Sequence, residues 1–203
     1  MEVVLVLAVV ALAYLLGSLP FGVLVGRLWG VKVLELGSGR MGATNVFRAG
    51  GIAPALLTGA LDVGKGFLAV WLAGQINMSP LVQVLAGVAV VLGHCLSVFV
   101  GFRGGAGVAT SLGALGAIYL PAAIAMLLLL LVIIAITRYA SVGSLTITTL
   151  VPVVLLVLGL IGTLPLVFVL YGLLLWLIIV YAHRPNIIRL LDGSERRLGG
   201  SRE

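Results

Sequence analysis

The stretch Leu34-Glu35-Leu36-Gly37-Ser38-Gly39-Arg40-Met41-Gly42-Ala43-Thr44-Asn45-Val46-Phe47-Arg48-Ala49-Gly50 decides the fold. Its Gly37–Gly42 segment has the spacing G-x-G-x-x-G, and the acidic Asp62 follows on the C-terminal side. Between a strand and a helix, that pattern would mark a dinucleotide site in an α/β sheet. Here the glycines follow an apolar run of membrane length, and Asp62 falls inside the next such run. The dinucleotide reading is therefore excluded, and the parallel sheet with it. What remains is a crowded polar island. Gly37, Gly39 and Gly42 allow several backbone N–H groups to turn inward together, as in an anion-holding nest. Ser38, Thr44 and Asn45 add hydrogen-bonding side chains, while Arg40 and Arg48 offer planar forks suited to phosphate. The island reads as a loop that binds a phosphate-bearing substrate at a membrane surface.

Composition agrees with the flanking runs. Hydrophobic residues make up 62% of the 203 and charged residues 9%, against about 25% charged in soluble domains. Long unbroken apolar stretches favour helices, because barrel strands are short and alternate. The fold class expected is all-α: a polytopic integral membrane protein with about seven transmembrane helices, residues 1–203 forming one domain. The net charge of +6 could suggest nucleic acid in a soluble chain. These basic residues instead flank apolar segments, where they set orientation and meet anionic lipids or substrates. No nucleic-acid partner is expected. The single cysteine, Cys95, excludes an internal disulfide and reads as a small buried hydrophobe.

The first apolar run, about Val3–Val25, has Glu2 as the only charge before it, which does not suit a signal peptide. It reads as a retained span, softened near Gly17 and Pro20 and ended by Arg27. The second, about Ile52–Gly74, carries Asp62 and Lys65 on one helical face. Charges at such depth face a cavity or each other, so a helix-locking ion pair and a functional pair both remain open. Asn77, Ser79 and Pro80 make an uncharged turn. The third run, Leu81 to about Val100, holds His94, which reads first as a satisfied interior group, with catalysis as the alternative. Val108–Leu120 is about 20 Å of helix, short for a crossing. It forms either half of a hairpin with Ala122–Thr137 or a re-entrant piece. Val142–Leu160 and Leu164–Ala182 complete the set. On the hairpin reading the N-terminus lies outside and the C-terminus is cytoplasmic. Every Lys and Arg except the intramembrane Lys65 then lies on the cytoplasmic side, as the positive-inside rule requires.

Three polar segments thereby meet on one face. The first is the Gly37–Arg48 island. The second, Gly101-Phe-Arg103-Gly104-Gly105-Ala106-Gly107, leads into a helix whose N-terminal N–H groups suit an anion; alone it reads first as a tight turn between helices. The third begins His183-Arg184-Pro185-Asn186, and Pro185 favours a short helix with Asn186 and Arg189 on one face. Taken alone it reads as a basic interfacial anchor. Together they indicate a site for an anionic substrate.

The segments Gly37–Arg48, Gly104–Thr110 and His183–Glu195 resemble one family, the bacterial acyl-phosphate:glycerol-3-phosphate acyltransferases of the PlsY type. Gly17-Ser-Leu-Pro20, Asp62-Val-Gly-Lys-Gly66 and Gly93-His94 also fall where that family has similar residues, so the likeness runs nearly the full chain in matching order. The resemblance implies acyl transfer from acyl-phosphate to the 1-hydroxyl of glycerol 3-phosphate, giving lysophosphatidic acid and phosphate in the bacterial cytoplasmic membrane, with no metal, other cofactor or acyl-CoA. By matching position it implies catalytic roles for Ser38, Arg48, His183 and Asn186. Glycerol-phosphate binding falls to Gly104, Gly105 and Gly107, and Glu195 would hold the tail in place. Gly37, Gly39, Arg40, Gly42, Thr44, Asn45 and Arg103 join the substrate-binding set through their place in the polar loops.

Two positions depart from the family pattern. Where the second segment usually reads Gly-Gly-Lys-Gly, this chain has Ala106; where the first usually has Asn, it has Arg40. A lost charge-assisted phosphate contact costs about 1.5–3 kcal/mol, so Arg40 or Arg103 is expected to supply the missing cation if activity is kept. The competing reading is a divergent paralogue that transports or binds lipid phosphates. Broken helices and the Asp62–Lys65 pair suit a transport path. The lack of an internal repeat, and of polar residues across the later spans, weighs against it.

Overall fold

Lipid offers the backbone no hydrogen bonds, so an apolar chain satisfies its own N–H and C=O groups as helices. In the computed structural model, which describes residues 2–76 and 79–199, the described residues form ten α-helices and no strand. The first apolar run is broken into α1 (Glu2–Ser18) and α2 (Phe21–Leu28) at Leu19–Pro20, where proline has no amide to continue the ladder. The polar island contributes a short helix, α3 (Ala43–Gly50), which the sequence reading treated only as loop. Then come α4 (Ile52–Ile76), α5 (Pro80–Cys95), α6 (Val108–Ile118), α7 (Leu120–Thr137), α8 (Ala140–Leu160), α9 (Phe168–Ala182) and α10 (Arg184–Leu191). Among the described residues, five helices or broken helices are long and apolar enough to cross a membrane. The α9–α10 pair, bent by 62°, adds a sixth candidate, and the 11-residue α6 is shorter. The expected turn at Asn77 lies outside the described residues, as does the end of the tail from residue 200.

Burial is inverted relative to a soluble protein. Leu7, Leu56, Leu128, Leu160 and Leu177 face outward, while the interior is rich in alanine, valine and glycine. Between helices in lipid there is little hydrophobic driving force, so close backbone approach does the holding. The α4–α6 seam shows this. A Cβ on Gly66 would overlap the Thr110 carbonyl, and one on Gly113 would overlap the Val63 carbonyl. Because Thr110 lies beside Gly66, α6 starts about 21 Å along α4 from Ile52. It then turns at Tyr119 into α7, which runs back toward the polar end. α6 and α7 thus form a bent pair whose first arm starts partway along α4.

Hydrogen bonds gather the polar segments at one end. Arg40 Nη1 donates to Asn186 Oδ1 at 3.3 Å, and Arg48 Nη2 donates to the Arg196 carbonyl at 3.3 Å. Ser141 Oγ donates to Glu195 Oε1 at 2.8 Å, and the Leu198 amide donates to the Arg138 carbonyl at 2.7 Å. The tail from Asp192 thus lies as a strap across α3, α8 and α10.

Candidate active site

The first glycine loop is built around one side chain. Asn45, on α3, is 2% exposed. Its Oδ1 accepts the Ser38 amide at 2.9 Å, and its Nδ2 is shared among the carbonyls of Val33, Leu36 and Arg40 at 2.9–3.1 Å. Gly37 has φ +59°, and a Cβ there would strike Asn45 Oδ1. Asn45 therefore spends its amide on folding the loop. With the loop so fixed, Ser38, Arg40, Gly42, Thr44, Asn45 and Arg48 border a cavity of about 870 Å³. Gly37 and Gly39 shape the turn behind it.

The cavity reaches across the bundle. His183 and Asn186 border its polar end together with Ala106 and Gly107, and Asp62 and His94 lie at its floor. Gly104 and Gly105 stand behind the wall, their amides donating to the Cys95 and His94 carbonyls at 3.1 and 3.0 Å. The amide of Ser111 is bonded to the Gly107 carbonyl, so the first turn of α6 presents its N–H groups without intrahelical partners. Arg103 is exposed and outside the cavity, whereas Arg40 is at its border. On the far side Leu56, Leu127, Leu130, Leu131 and Ile134, from α4 and α7, form an apolar wall.

The charges suit anions. Burial, and then the neighbouring cations Arg189 for Arg40 and Arg196 for Arg48, push both guanidinium groups below their ordinary pKa; both still remain charged. Arg48 Nε is buried with no hydrogen-bond partner among the described residues, leaving a donor for an incoming group. His183 is 4% exposed, and its Nδ1 lies 2.8 Å from the Ile179 carbonyl. A carbonyl only accepts, so Nδ1 carries the proton and Nε2 is a bare acceptor. Burial pulls the His183 pKa below 6.5, with Arg40 adding to the fall. Glu195, which burial alone would raise, is held below its ordinary value by hydrogen bonds from Asn186, Ser141 and Arg189. The bonds from Asn186 Nδ2 and Arg189 Nε are 2.7 and 2.8 Å.

Ser141 and Ser144, at the start of α8, also border the cavity and escaped the sequence reading. Their only sequence signal is two small hydroxyls just after Arg138, a pattern common at helix starts.

The sequence pattern of the family described as glycerol-3-phosphate acyltransferase matches residues 7–193. Over 190 residues the chain is 47% identical to the glycerol-3-phosphate acyltransferase of Thermus thermophilus, covering 93% of this chain and 92% of that one. It is 44% identical over 191 residues to that of Aromatoleum aromaticum, covering 94% and 95%. In three dimensions it resembles the crystal structure of PlsY (YgiH), an integral membrane glycerol 3-phosphate acyltransferase, in its glycerol 3-phosphate form. The TM-score is 0.86 at 39% identity, with 96% of each chain covered. The lysophosphatidic acid form of the same protein gives 0.85 at 40%, covering 96% of this chain and 95% of that one.

Proposed function

The chain belongs to the glycerol-3-phosphate acyltransferase family, and on that premise we propose that it transfers an acyl group from acyl-phosphate to the 1-hydroxyl of glycerol 3-phosphate. The products are lysophosphatidic acid and phosphate. The whole chain works as one domain in the bacterial cytoplasmic membrane, with seven spans, the N-terminus outside and the cavity open to the cytoplasm. The observation that carries this reading is a single cavity with two guanidinium groups and a neutral imidazole at one end and a leucine wall at the other. A fatty acyl group fits the wall, and two phosphates fit the polar end. The crystallised relative with 39–40% identity is described in glycerol 3-phosphate and lysophosphatidic acid forms, which supports both the acceptor and the product.

Arg48 and Arg40, with Ser38, Thr44 and the loop amides of Gly37–Gly42, hold phosphate oxygens. The Gly104–Gly107 loop and the first turn of α6 hold the phosphate of glycerol 3-phosphate. His183 Nε2 accepts the hydroxyl hydrogen and aims the oxygen lone pair at the acyl carbon, and Asn186 braces Arg40. The hydroxyl oxygen bonds to that carbon, the bond from carbon to the phosphate oxygen breaks, and the proton leaves with the phosphate. Acyl-phosphate is already activated, so orientation and fixed positive charge supply most of the acceleration. Arg40 stands in for the lysine absent at position 106, since Arg40 borders the cavity and the exposed Arg103 does not.

Purified protein given palmitoyl phosphate and labelled glycerol 3-phosphate should release phosphate and lysophosphatidic acid in equal amounts. Palmitoyl-CoA should give no product. A folded protein that turns over neither donor would overturn the enzymatic reading and favour a binding or transport role.

A further inference from the structure

Asp62, Lys65 and His94 are 1%, 3% and 2% exposed, deep among apolar helices. Ionisable groups at such depth are costly to keep and call for a use. Asp62 Oδ1 lies 2.9 Å from Lys65 Nζ and 3.4 Å from His94 Nδ1. Lys65 Nζ also donates to the Leu19 carbonyl at 2.9 Å, at the break between α1 and α2. The ion pair therefore already satisfies Lys65 and pins the bend. A helix lock needs no more than Asp62 and Lys65, which leaves His94 to be explained.

His94 faces two ways. Its Nδ1 side meets Asp62, and its Nε2 side lies against Gly105, where a Cβ would overlap the ring nitrogen. The same residue's carbonyl accepts the Gly105 amide at 3.0 Å, and the next carbonyl, of Cys95, accepts the Gly104 amide at 3.1 Å. Residue 105 is thus fixed by the hydrogen bond its amide donates to the His94 carbonyl and by van der Waals contact with the His94 ring. Two residues later, Gly107 has φ +85° and starts α6. Any tilt of the His94 ring moves Gly105 and re-aims the amides of Ala106 and Gly107 at the cavity border.

We propose that His94, held by Asp62, is a positioning residue that fixes the Gly104–Gly107 loop in the form that receives the phosphate of glycerol 3-phosphate. The proposal rests on the reading of the cavity given above. His94 acts on the phosphate site through the backbone of Gly105, which its carbonyl bonds and its ring abuts. Loss of the ring contact should weaken glycerol 3-phosphate and leave acyl-phosphate unaffected, because the apolar wall and the first glycine loop do not rest on it.

The test uses calorimetric Kd for glycerol 3-phosphate on the full chain in detergent, beside KM and kcat for each substrate and the melting temperature. His94→Asn keeps an N–H toward Asp62 and removes the ring beneath Gly105. It should raise the Kd and KM for glycerol 3-phosphate about tenfold, the worth of one lost good contact. Its kcat, acyl-phosphate KM and melting temperature should stay near wild type. Asp62→Asn/Lys65→Met, which removes both charges together, should also weaken glycerol 3-phosphate, here with a lowered melting temperature because the bond from Lys65 to the Leu19 carbonyl is lost. Gly105→Ala should be more damaging, and His94→Asn/Gly105→Ala should recover part of that loss, since the new Cβ then has room. Unchanged glycerol 3-phosphate affinity in His94→Asn, or equal loss for both substrates alongside a lowered melting temperature, would overturn the proposal alone. No binding of glycerol 3-phosphate to the wild-type chain would overturn the functional reading and this inference together.

Discussion

The two glycine-rich loops meet at one cavity but are built in opposite ways. Gly37–Gly42 folds upon its own Asn45, whose amide bonds to four backbone groups. That internal scaffold frees Ser38, Arg40 and Arg48 to border the cavity. Gly104–Gly107 instead folds upon the end of α5, and the cation just before it, Arg103, is exposed and outside the cavity. The first loop thus contributes charged side chains and the second contributes backbone. Ala106 and Arg40 border the same cavity from these two different loops.

The largest effect should come from removing the scaffold of the first loop. Asn45→Ala leaves buried carbonyls and the Ser38 amide unpaired, at about 1–3 kcal/mol for each group that water cannot reach. Activity should fall more than a hundredfold, with a lower melting temperature; wild-type turnover in this variant would break the comparison. Arg48→Ala should come next, costing about 1.5–3 kcal/mol of substrate affinity, or roughly tenfold to a hundredfold in kcat/KM. Arg48→Lys should recover little, since a point charge does not replace a fork. Steady-state kinetics on both variants would show it, and unchanged KM and kcat would reduce Arg48 to a brace for the tail.

The swapped cation gives a sharper and smaller test. Arg40→Asn should lower kcat/KM about tenfold, and Ala106→Lys alone should be neutral or harmful through crowding with Arg40. Arg40→Asn/Ala106→Lys should regain activity over Arg40→Asn. Full activity in Arg40→Asn without the new lysine would show that the first loop does not carry the charge.

The smallest effect is on pH. Burial and Arg40 hold His183 below 6.5, so it is neutral and competent at neutral pH, and activity should decline only on the acid side of 6.5. In Arg40→Asn a repelling cation is gone, the imidazolium is favoured, and the acid limb should move to higher pH. Glu195→Gln removes an attracting anion and should move it lower. The same depressed pKa values mean that folded-state stability drops on acidification, first through His183 below 6.5 and then through Glu195 below its ordinary 4.5. Limbs that do not move with either substitution would detach His183 from the rate.

Much of this arrangement was legible in the sequence because lipid imposes simple rules. Apolar runs had to be helices and Pro185 favoured a short helix at α10, and both are present; the softening expected near Pro20 is a full break between α1 and α2. Asp62 and Lys65 at i and i+3 had to share a face, and they pair at 2.9 Å. The convergence of three polar segments followed from charge placement. What sequence could not supply was the division of labour among neighbouring polar residues. Thr44 and Asn45 both border the cavity, but the Asn45 amide is taken up by bonds that fold the loop. Both are small polar residues in a glycine-rich segment, and only the long-range bonds from Asn45 to Val33 and Leu36 separate them. Arg40 and Arg103 were equal candidates for the same reason. Ser141 and Ser144 reach the cavity through the packing of α8 against α7 and α9, which no local pattern encodes.

The most direct test of the central claim is a crystal structure of this chain with glycerol 3-phosphate bound. The account predicts the phosphate in the cavity, with an Arg40 or Arg48 guanidinium on one side and the amides of Ala106 to Ala109 on the other, each about 2.7–3.2 Å from a phosphate oxygen. The 1-hydroxyl should face His183 Nε2. A phosphate held instead by Arg184, Arg189 or Arg197 at the exterior, with the cavity free of ligand, would contradict it.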